Sequence, residues 1–157
     1  MTEQAAGVSV TKAITVEAPI EHAFSVFTEG FDSWWPRGHH IGEADLAEAV
    51  MEAREGGRFY EKSVDGSECE WGRVLAWDPP NRVVLAWQLT AEWQYDPDFL
   101  TEVEVRFTAD GPGRTQVELE HRNLERYGED MEKVRAAVGS DDGWGGQLRT
   151  YAQAAAA

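Results

Sequence analysis

Residues 71–87 read WGRVLAWDPPNRVVLAW and predict two strands joined by a tight turn. Pro79 and Pro80 have no backbone N–H to donate, so together with Asn81 they cannot continue a strand ladder. Apolar, β-branched and aromatic residues fill both sides of this turn, as they do in strands. A tryptophan stands at each end of the stretch, and a third, Trp77, lies just before the turn. The hairpin contains no catalytic group, so it bears on the fold and on the kind of site rather than on a reaction.

The chain has 157 residues, of which 42% are hydrophobic and 27% are charged, an ordinary balance for a globular protein. A chain of this size buries roughly two-thirds of its unfolded surface, which leaves room for a core or an internal cavity. We expect residues 8–156 to form a single domain and residues 1–7 to form a flexible N-terminal tail. Cys69 is the single cysteine, which excludes an intrachain disulfide and a cysteine-pair metal site.

The charge is strongly acidic: 29 acidic residues against 14 basic ones give a net charge of −15 and a pI near 4.5. Such a surface repels phosphate backbones and anionic lipids, so we expect neither nucleic acid nor membrane as a partner. The charge serves solubility or meets a basic protein partner, and the sequence leaves both open. The first residues lack the regions of a signal peptide, and no apolar run approaches the roughly 20 residues that span a bilayer. We therefore expect a cytoplasmic location.

Apolar periodicity predicts about seven strands, two short helices after the first strand and a long terminal helix. The first strand ends before Pro19, and residues 20–27 then repeat apolar side chains at helical spacing. Residues 31–35 predict a second short helix that the following proline ends. The terminal helix is expected to run from Gly143 through residue 152. Because short turns join most of the strands, the sheet is predicted to be antiparallel.

The strands predicted over residues 100–109 and 115–122 show the clearest alternation. In both, apolar residues alternate with a set rich in glutamate. This pattern predicts a sheet with an apolar inner face and an acidic, hydrated outer face. The outer face would then hold several of the excess acidic residues.

Four pieces of sequence match a known family in their order and spacing. They are the first strand continuing into residues 18–24, Trp34-Trp35-Pro36, residues 72–87, and Gly143-Trp144 with Leu148. Together they span about residues 8–152. They resemble the START-like superfamily, also called SRPBCC or helix-grip, and within it the branch named for the activator of a heat-shock-protein ATPase. The resemblance implies an α+β fold in which a curved antiparallel sheet grips the C-terminal helix, with a cavity between them. The family shares a fold and not one reaction, so function stays open.

Seven tryptophans are many for a chain of 157 residues, and they are the first candidates for a site. An indole offers a flat apolar wall and an N–H that needs a partner when it is buried. Trp87 lies on the apolar phase of its strand and Trp144 lies on the helix that should face it, so these two are the best cavity walls. Plain core packing is the alternative for every tryptophan. Trp71 and Trp77 share a phase with both Leu75 and an arginine, so the pattern does not decide their side.

The predicted ligand-binding residues comprise apolar walls and polar anchors. The walls are Phe24, Trp34, Trp35, Trp87, Phe107, Trp144 and Leu148, and the anchors are Tyr60, His121 and Tyr151. His121 continues the apolar phase of its strand. It is therefore either a core histidine with satisfied hydrogen bonds or a pocket group whose charge responds to its surroundings.

Other reactive residue types give no catalytic or metal prediction. His39, His40 and Glu43 are of metal-ligand type, but neighbouring side chains diverge and a third strong ligand at helical spacing is missing. A loop at the cavity mouth or on the surface is favoured instead. Cys69 lies between two glutamates, which raise the pKa of a thiol. The sequence shows neither a catalytic triad nor a phosphate-binding glycine pattern, and we predict no cofactor.

These features favour a protein that binds an apolar or aromatic small molecule in a cavity between sheet and terminal helix. One alternative, implied by the branch name, is a chaperone-activator-type interaction domain whose acidic face meets a protein partner. A second is a cyclase- or hydrolase-type enzyme that uses the same cavity. The sequence is also compatible with a homodimer.

Overall fold

The computed structural model describes residues 8–141 and 143–156, and the tail predicted over residues 1–7 lies outside them. Its seven strands form an antiparallel sheet in the order β1-β7-β6-β5-β4-β3-β2. The strands are β1 Val10–Val16, β2 Leu46–Met51, β3 Arg58–Ser63, β4 Glu68–Asp78, β5 Arg82–Trp87, β6 Thr101–Ala109 and β7 Thr115–Arg122. Consecutive strands from β2 to β7 are neighbours, and β1 closes the order by pairing with β7.

Four α-helices accompany the sheet in the described part of the chain. They are α1 Ile20–Thr28, α2 Phe31–Trp34, α3 Met131–Val138 and α4 Trp144–Ala156, with a 3₁₀ segment at Leu124–Asp130 before α3. The sheet curls around α4, which packs against β1, α1 and α2. This arrangement confirms the predicted α+β helix-grip fold.

The predicted hairpin is present as β4 and β5, joined by a turn with a cis peptide between Pro79 and Pro80. Gly72 of β4 pairs with Trp87 of β5. A Cβ atom at Gly72 would lie only 1.7 Å from the carbonyl oxygen of Ala86, so the two backbones approach too closely for any side chain. The glycine at this position is therefore a packing requirement of the hairpin.

Two bulges in β4 settle the side on which its tryptophans lie. Trp71 is the extra residue where β4 pairs with β3, and Leu75 is the extra residue where it pairs with β5. Each bulge shifts the alternation of side chains by one residue. As a result Trp71 is buried against Phe59, and Trp77 contacts Phe24 of α1 with ring centroids 5.0 Å apart. Both tryptophans thus lie on the inner face.

The inner face is apolar, as the alternation in β6 and β7 predicts. Its buried members there are Val103, Val105, Phe107, Val117 and Leu119, none more than 3% exposed. The polar His121 continues the same row at the end of β7 and is fully buried.

On the outer face, three arginines pair with the predicted glutamates of β6 and β7. Glu104 of β6 accepts hydrogen bonds from Arg82 at 2.6 Å, Arg106 at 2.9 Å and Arg122 at 2.5 Å. Arg106 also pairs with Glu118 of β7. Burial alone would raise the pKa of Glu104, but the arginines hold it below its ordinary value. A basic partner would meet ion pairs here rather than free carboxylates.

Candidate functional site

A pocket of about 490 Å³ opens between the inner face of the sheet and the start of α4. Five tryptophans line it: Trp35, Trp71, Trp87, Trp93 and Trp144. The other lining residues come from the loop before β2, the residues after β5, the end of α3 with the segment that follows it, and α4. They are Gly38, His39, His40, Ile41, Leu89, Ala137, Val138, Ser140, Gly143 and Gln147. The volume lies within the range of roughly 300–1,000 Å³ that small-molecule pockets occupy, and such pockets also combine apolar and aromatic walls with a few polar groups.

A chain of hydrogen bonds fixes Trp144 in the wall of the pocket. The indole N–H of Trp144 donates to Nδ1 of His121 at 3.1 Å, so the neutral ring carries its proton on Nε2. That N–H donates to Oγ1 of Thr101 at 2.8 Å. Burial lowers the pKa of His121 to about 3, which keeps the ring neutral at ordinary pH. His121 therefore orients Trp144 and packs beneath Trp87, with ring centroids 5.2 Å apart.

A buried carboxylate holds the loop that forms one side of the pocket. Glu61 of β3 is fully buried and accepts the backbone N–H groups of Ile41 at 2.7 Å and Gly42 at 3.1 Å. The same carboxylate accepts the indole N–H of Trp71 at 2.8 Å. Glu61 thus fixes a wall residue and the loop together, and its buried oxygens accept three N–H donors.

The two loop histidines present complementary hydrogen-bonding atoms. Nδ1 of His40 lies 2.9 Å from the carbonyl oxygen of Gly42, which can only accept, so Nδ1 carries the proton of the neutral ring. Nε2 of His40 is then an acceptor. Nδ1 of His39 lies 3.1 Å from Nε2 of Gln147, an amide donor, so the neutral His39 ring carries its proton on Nε2. In their neutral forms the two lining histidines therefore have opposite tautomers, with the remaining donor on His39 and the remaining acceptor on His40.

Among the predicted ligand-binding residues, Trp35, Trp87 and Trp144 lie in this lining. Trp35 stacks on Phe31 with ring centroids 4.8 Å apart, and its indole N–H donates to the carbonyl oxygen of His39 at 2.8 Å. One tryptophan thereby connects α2 to the loop that carries the histidines.

Five other predicted residues pack in the core beside the pocket rather than in its lining. Phe24 and Phe107 contact each other at 5.1 Å between α1 and the sheet, and Phe24 also borders a separate cleft near the β4–β5 turn. Trp34, Leu148 and Tyr151 are buried where α1, α2 and α4 meet. The indole of Trp34 and the hydroxyl of Tyr151 both donate to carbonyl groups of α1, at 3.0 and 2.6 Å. These bonds connect α2 and α4 to α1, and they use the N–H of Trp34 and the O–H of Tyr151 as donors.

Tyr60 and His121 also lie outside the lining. Tyr60 is on the opposite face of β3 from Phe59, and the guanidinium of Arg58 lies 3.8 Å from the centre of its ring. His121 is enclosed beneath the wall tryptophans, with both ring nitrogens bonded to protein groups. Of the two readings open for His121, its placement favours the core histidine with satisfied hydrogen bonds.

Several lining residues were not among the predicted site residues. The sequence pattern does not decide the face of the sheet on which Trp71 lies, because the bulge at Trp71 interrupts the alternation. Gln147 follows Trp144 by three residues on α4, so helical spacing could have found it. Trp93 lies in the irregular segment between β5 and β6, where no periodic pattern signals direction. The loop with His39 and His40 lies at the pocket, which was one of the two placements favoured for it.

Two further properties concern metals and membranes. Across residues 8–141 and 143–156, no three or more His, Cys, Asp or Glu side chains are grouped to hold a metal ion. In the same ranges, every helix is too short or too polar to cross a bilayer.

A curled antiparallel sheet that grips a terminal helix over an aromatic pocket defines a helix-grip protein of the START-like class. Residues 17–155 match the family model of Activator of Hsp90 ATPase homolog 1-like proteins, and the chain belongs to this family. Among curated proteins, none is significantly similar in sequence.

Solved structures with the same fold include two that are also similar in sequence. An anthrahydroquino-γ-pyrone synthase, Txn09, is 38% identical with a TM-score of 0.66, covering 92% of this chain and 95% of the synthase. The self-sacrificing resistance protein CalC from Micromonospora echinospora is 33% identical with a TM-score of 0.70, covering 94% of this chain and 93% of CalC. The Aha1 dimer from Colwellia psychrerythraea, at 16% identity and a TM-score of 0.63, shares the fold; it covers 95% of this chain and 96% of that protein.

Proposed function

We propose that this protein binds an apolar, aromatic small molecule in the tryptophan-lined pocket. The observation that carries the proposal is the convergence of five indoles, from five separate parts of the fold, on one space of about 490 Å³. Burial of a ligand against these walls supplies affinity through apolar area. His39 and His40 supply one donor and one acceptor, which suits a ligand that carries hydroxyl and carbonyl oxygens.

The similar proteins support the same class of ligand. Txn09, at 38% identity, is named for a product in which an anthrahydroquinone is joined to a pyrone. Such a molecule is polycyclic, flat and oxygenated, and it would match both the indole walls and the two imidazoles. CalC, at 33% identity, is named for resistance, a role that a binding protein can also perform.

Calorimetric titration with two probes tests the proposal. Alizarin is a flat, tricyclic quinone with hydroxyl groups, and 1-adamantanol is compact, aliphatic and hydroxylated. We expect the protein to bind alizarin with a one-to-one stoichiometry. If the protein binds neither alizarin nor 1-adamantanol, the proposed function is contradicted.

A matched pair of variants locates the binding. Ala137→Trp adds an indole at the pocket lining, whereas Ala136→Trp adds one at the adjacent exposed position of α3, outside the lining. Alizarin affinity is expected to fall at least about tenfold in Ala137→Trp, since an indole fills part of the pocket, and to stay within about twofold in Ala136→Trp. Equal affinities of the two variants would place binding elsewhere and contradict the proposal.

Turnover is a second candidate, favoured by the 38% identity to a synthase and by the imidazole pair. The unprotonated Nε2 of neutral His40 could take a proton from the carbon beside a ligand carbonyl, while the N–H of His39 stabilises the enolate oxygen. Deuterium exchange of 2-tetralone in heavy water, followed by NMR, tests this step. We expect exchange above the buffer rate that His40→Asn abolishes; exchange at the buffer rate, or exchange unchanged by His40→Asn, would contradict a base role.

A further inference from the structure

Trp93 occupies a backbone conformation that bulky residues rarely adopt. It lies in a three-residue turn in which the N–H of Thr90 donates to the carbonyl oxygen of Gln94 and the N–H of Trp93 donates to that of Thr90. The φ angle of Trp93 is 61°, in the left-handed region. The last residue of such a turn is usually glycine, because a Cβ atom there approaches the following carbonyl group.

The other left-handed positions in the described chain follow the usual rule. Four are glycines, Gly56, Gly66, Gly111 and Gly128, and one is Asn123, whose short polar side chain tolerates the conformation. Trp93 alone among the described residues combines a positive φ with a large side chain. Trp93 is also 40% exposed, so burial in the core does not account for the unfavourable backbone.

The turn directs this exposed indole to the pocket. Trp93 is part of the pocket lining, and its ring lies 6.5 Å from that of Trp87 at an interplanar angle of 83°. The side-chain oxygen of Thr90 accepts the N–H groups of Glu92 and Gln94 at 3.3 Å, and Leu89 pairs with Tyr95 across the base of the turn. A well-bonded turn therefore fixes the backbone that carries the indole, and the contact with Trp87 sets the indole beside the pocket wall.

We infer that Trp93 is a preformed aromatic cap that selects flat aromatic ligands over aliphatic ones of similar size. This inference rests on the proposed function and adds the determinant of its ligand class. A flat ring that stacks on one of the two perpendicular indoles makes an edge-to-face contact with the other. Both arrangements are favourable for aromatic pairs, whereas a saturated ligand gains only from area burial. The bound ligand would also cover the exposed part of the Trp93 indole.

The test compares Trp93→Gly with wild type, using alizarin and 1-adamantanol in the same calorimetric titration. Glycine suits the left-handed turn, so the fold is retained and the indole alone is removed. Asn123→Gly is the matched control, since it places glycine at the other left-handed non-glycine position, outside the pocket lining. Melting temperatures of all three proteins are measured alongside, and Trp93→Gly is expected to stay within about 4 °C of wild type.

We expect Trp93→Gly to weaken alizarin binding by about tenfold and adamantanol binding, where measurable, by less than about threefold. Trp93→Phe should recover most of the alizarin affinity, and Asn123→Gly should leave it unchanged. If wild type binds alizarin and Trp93→Gly binds it equally well, the cap is refuted while the proposed function stands. If the two probes lose affinity equally, Trp93 acts by area alone and the selectivity is refuted. If wild type binds neither probe, the proposed function itself fails.

Discussion

Replacement of His121 by glutamine should remove a pH dependence that the buried imidazole imposes on stability. The folded protein holds the pKa of His121 near 3, whereas an unfolded chain protonates histidine near pH 6.5. The unfolded state therefore binds more protons below pH 6.5, and the free energy of unfolding falls as the pH decreases. The loss is about 1.4 kcal/mol per pH unit in this range, or about 2 kcal/mol between pH 7 and pH 5. Glutamine offers a donor and an acceptor to the same neighbours but does not titrate.

Urea unfolding of wild type and His121→Gln at pH 7, 6 and 5 measures this difference. Carboxylates such as Glu104, whose pKa is lowered in the fold, contribute equally to both proteins and cancel in the comparison. We expect the free energy of unfolding of wild type, minus that of His121→Gln, to fall by about 2 kcal/mol on going from pH 7 to pH 5. Parallel curves over this range would refute the claim that His121 is a neutral, desolvated residue enclosed beneath the wall tryptophans.

Three further substitutions, the first with a matched control, test contacts that stabilise the sheet and the site. Gly72→Ala should destabilise by about 3 kcal/mol or prevent folding, because its Cβ would overlap a backbone oxygen at 1.7 Å, whereas Gly113→Ala, with open space around it, should change the melting temperature little. Glu61→Gln should lower the free energy of unfolding by about 2 kcal/mol. It should also speed hydrogen exchange of the two loop N–H groups that donate to Glu61, and unchanged exchange would contradict its role. Glu104→Gln should cost about 1 kcal/mol at low salt and less in 1 M NaCl, and a salt-independent loss would argue against the ion-pair network.

The fold was largely predictable because its strands and helices bury one face each. The turn at Pro79-Pro80-Asn81 and the alternation in β6 and β7 are local signals that the structure confirms. In β1 less exposed and more exposed residues alternate without interruption from Val10 to Val16, and Lys12 is one of the residues on the inner face. A lysine can lay its aliphatic stem along apolar surface, so its charge misleads a count of apolar positions.

The site was less predictable, because its residues are positioned by irregular backbone. Trp71 reaches the inner face through a bulge, and Trp93 reaches the pocket through a left-handed turn; neither leaves a periodic trace. In β3 the residues on the inner face are Phe59 and Glu61. The sequence interpretation selected the aromatic Tyr60 as a polar anchor, although Tyr60 faces outward. Whether a given buried aromatic residue lines a space or fills the core depends on neighbours that are distant in sequence.

The most direct measurement of the central claim is the set of indole N–H signals in the NMR spectrum of ¹⁵N-tryptophan-labelled protein during titration with alizarin. Trp35, Trp71, Trp87, Trp93 and Trp144 line the pocket, whereas Trp77 lies at the separate cleft beside α1 and serves as an internal reference. We predict that the five lining signals shift with a single binding curve and that the Trp77 signal stays in place. Unchanged lining signals, or a shift confined to Trp77, would contradict binding in the tryptophan-lined pocket.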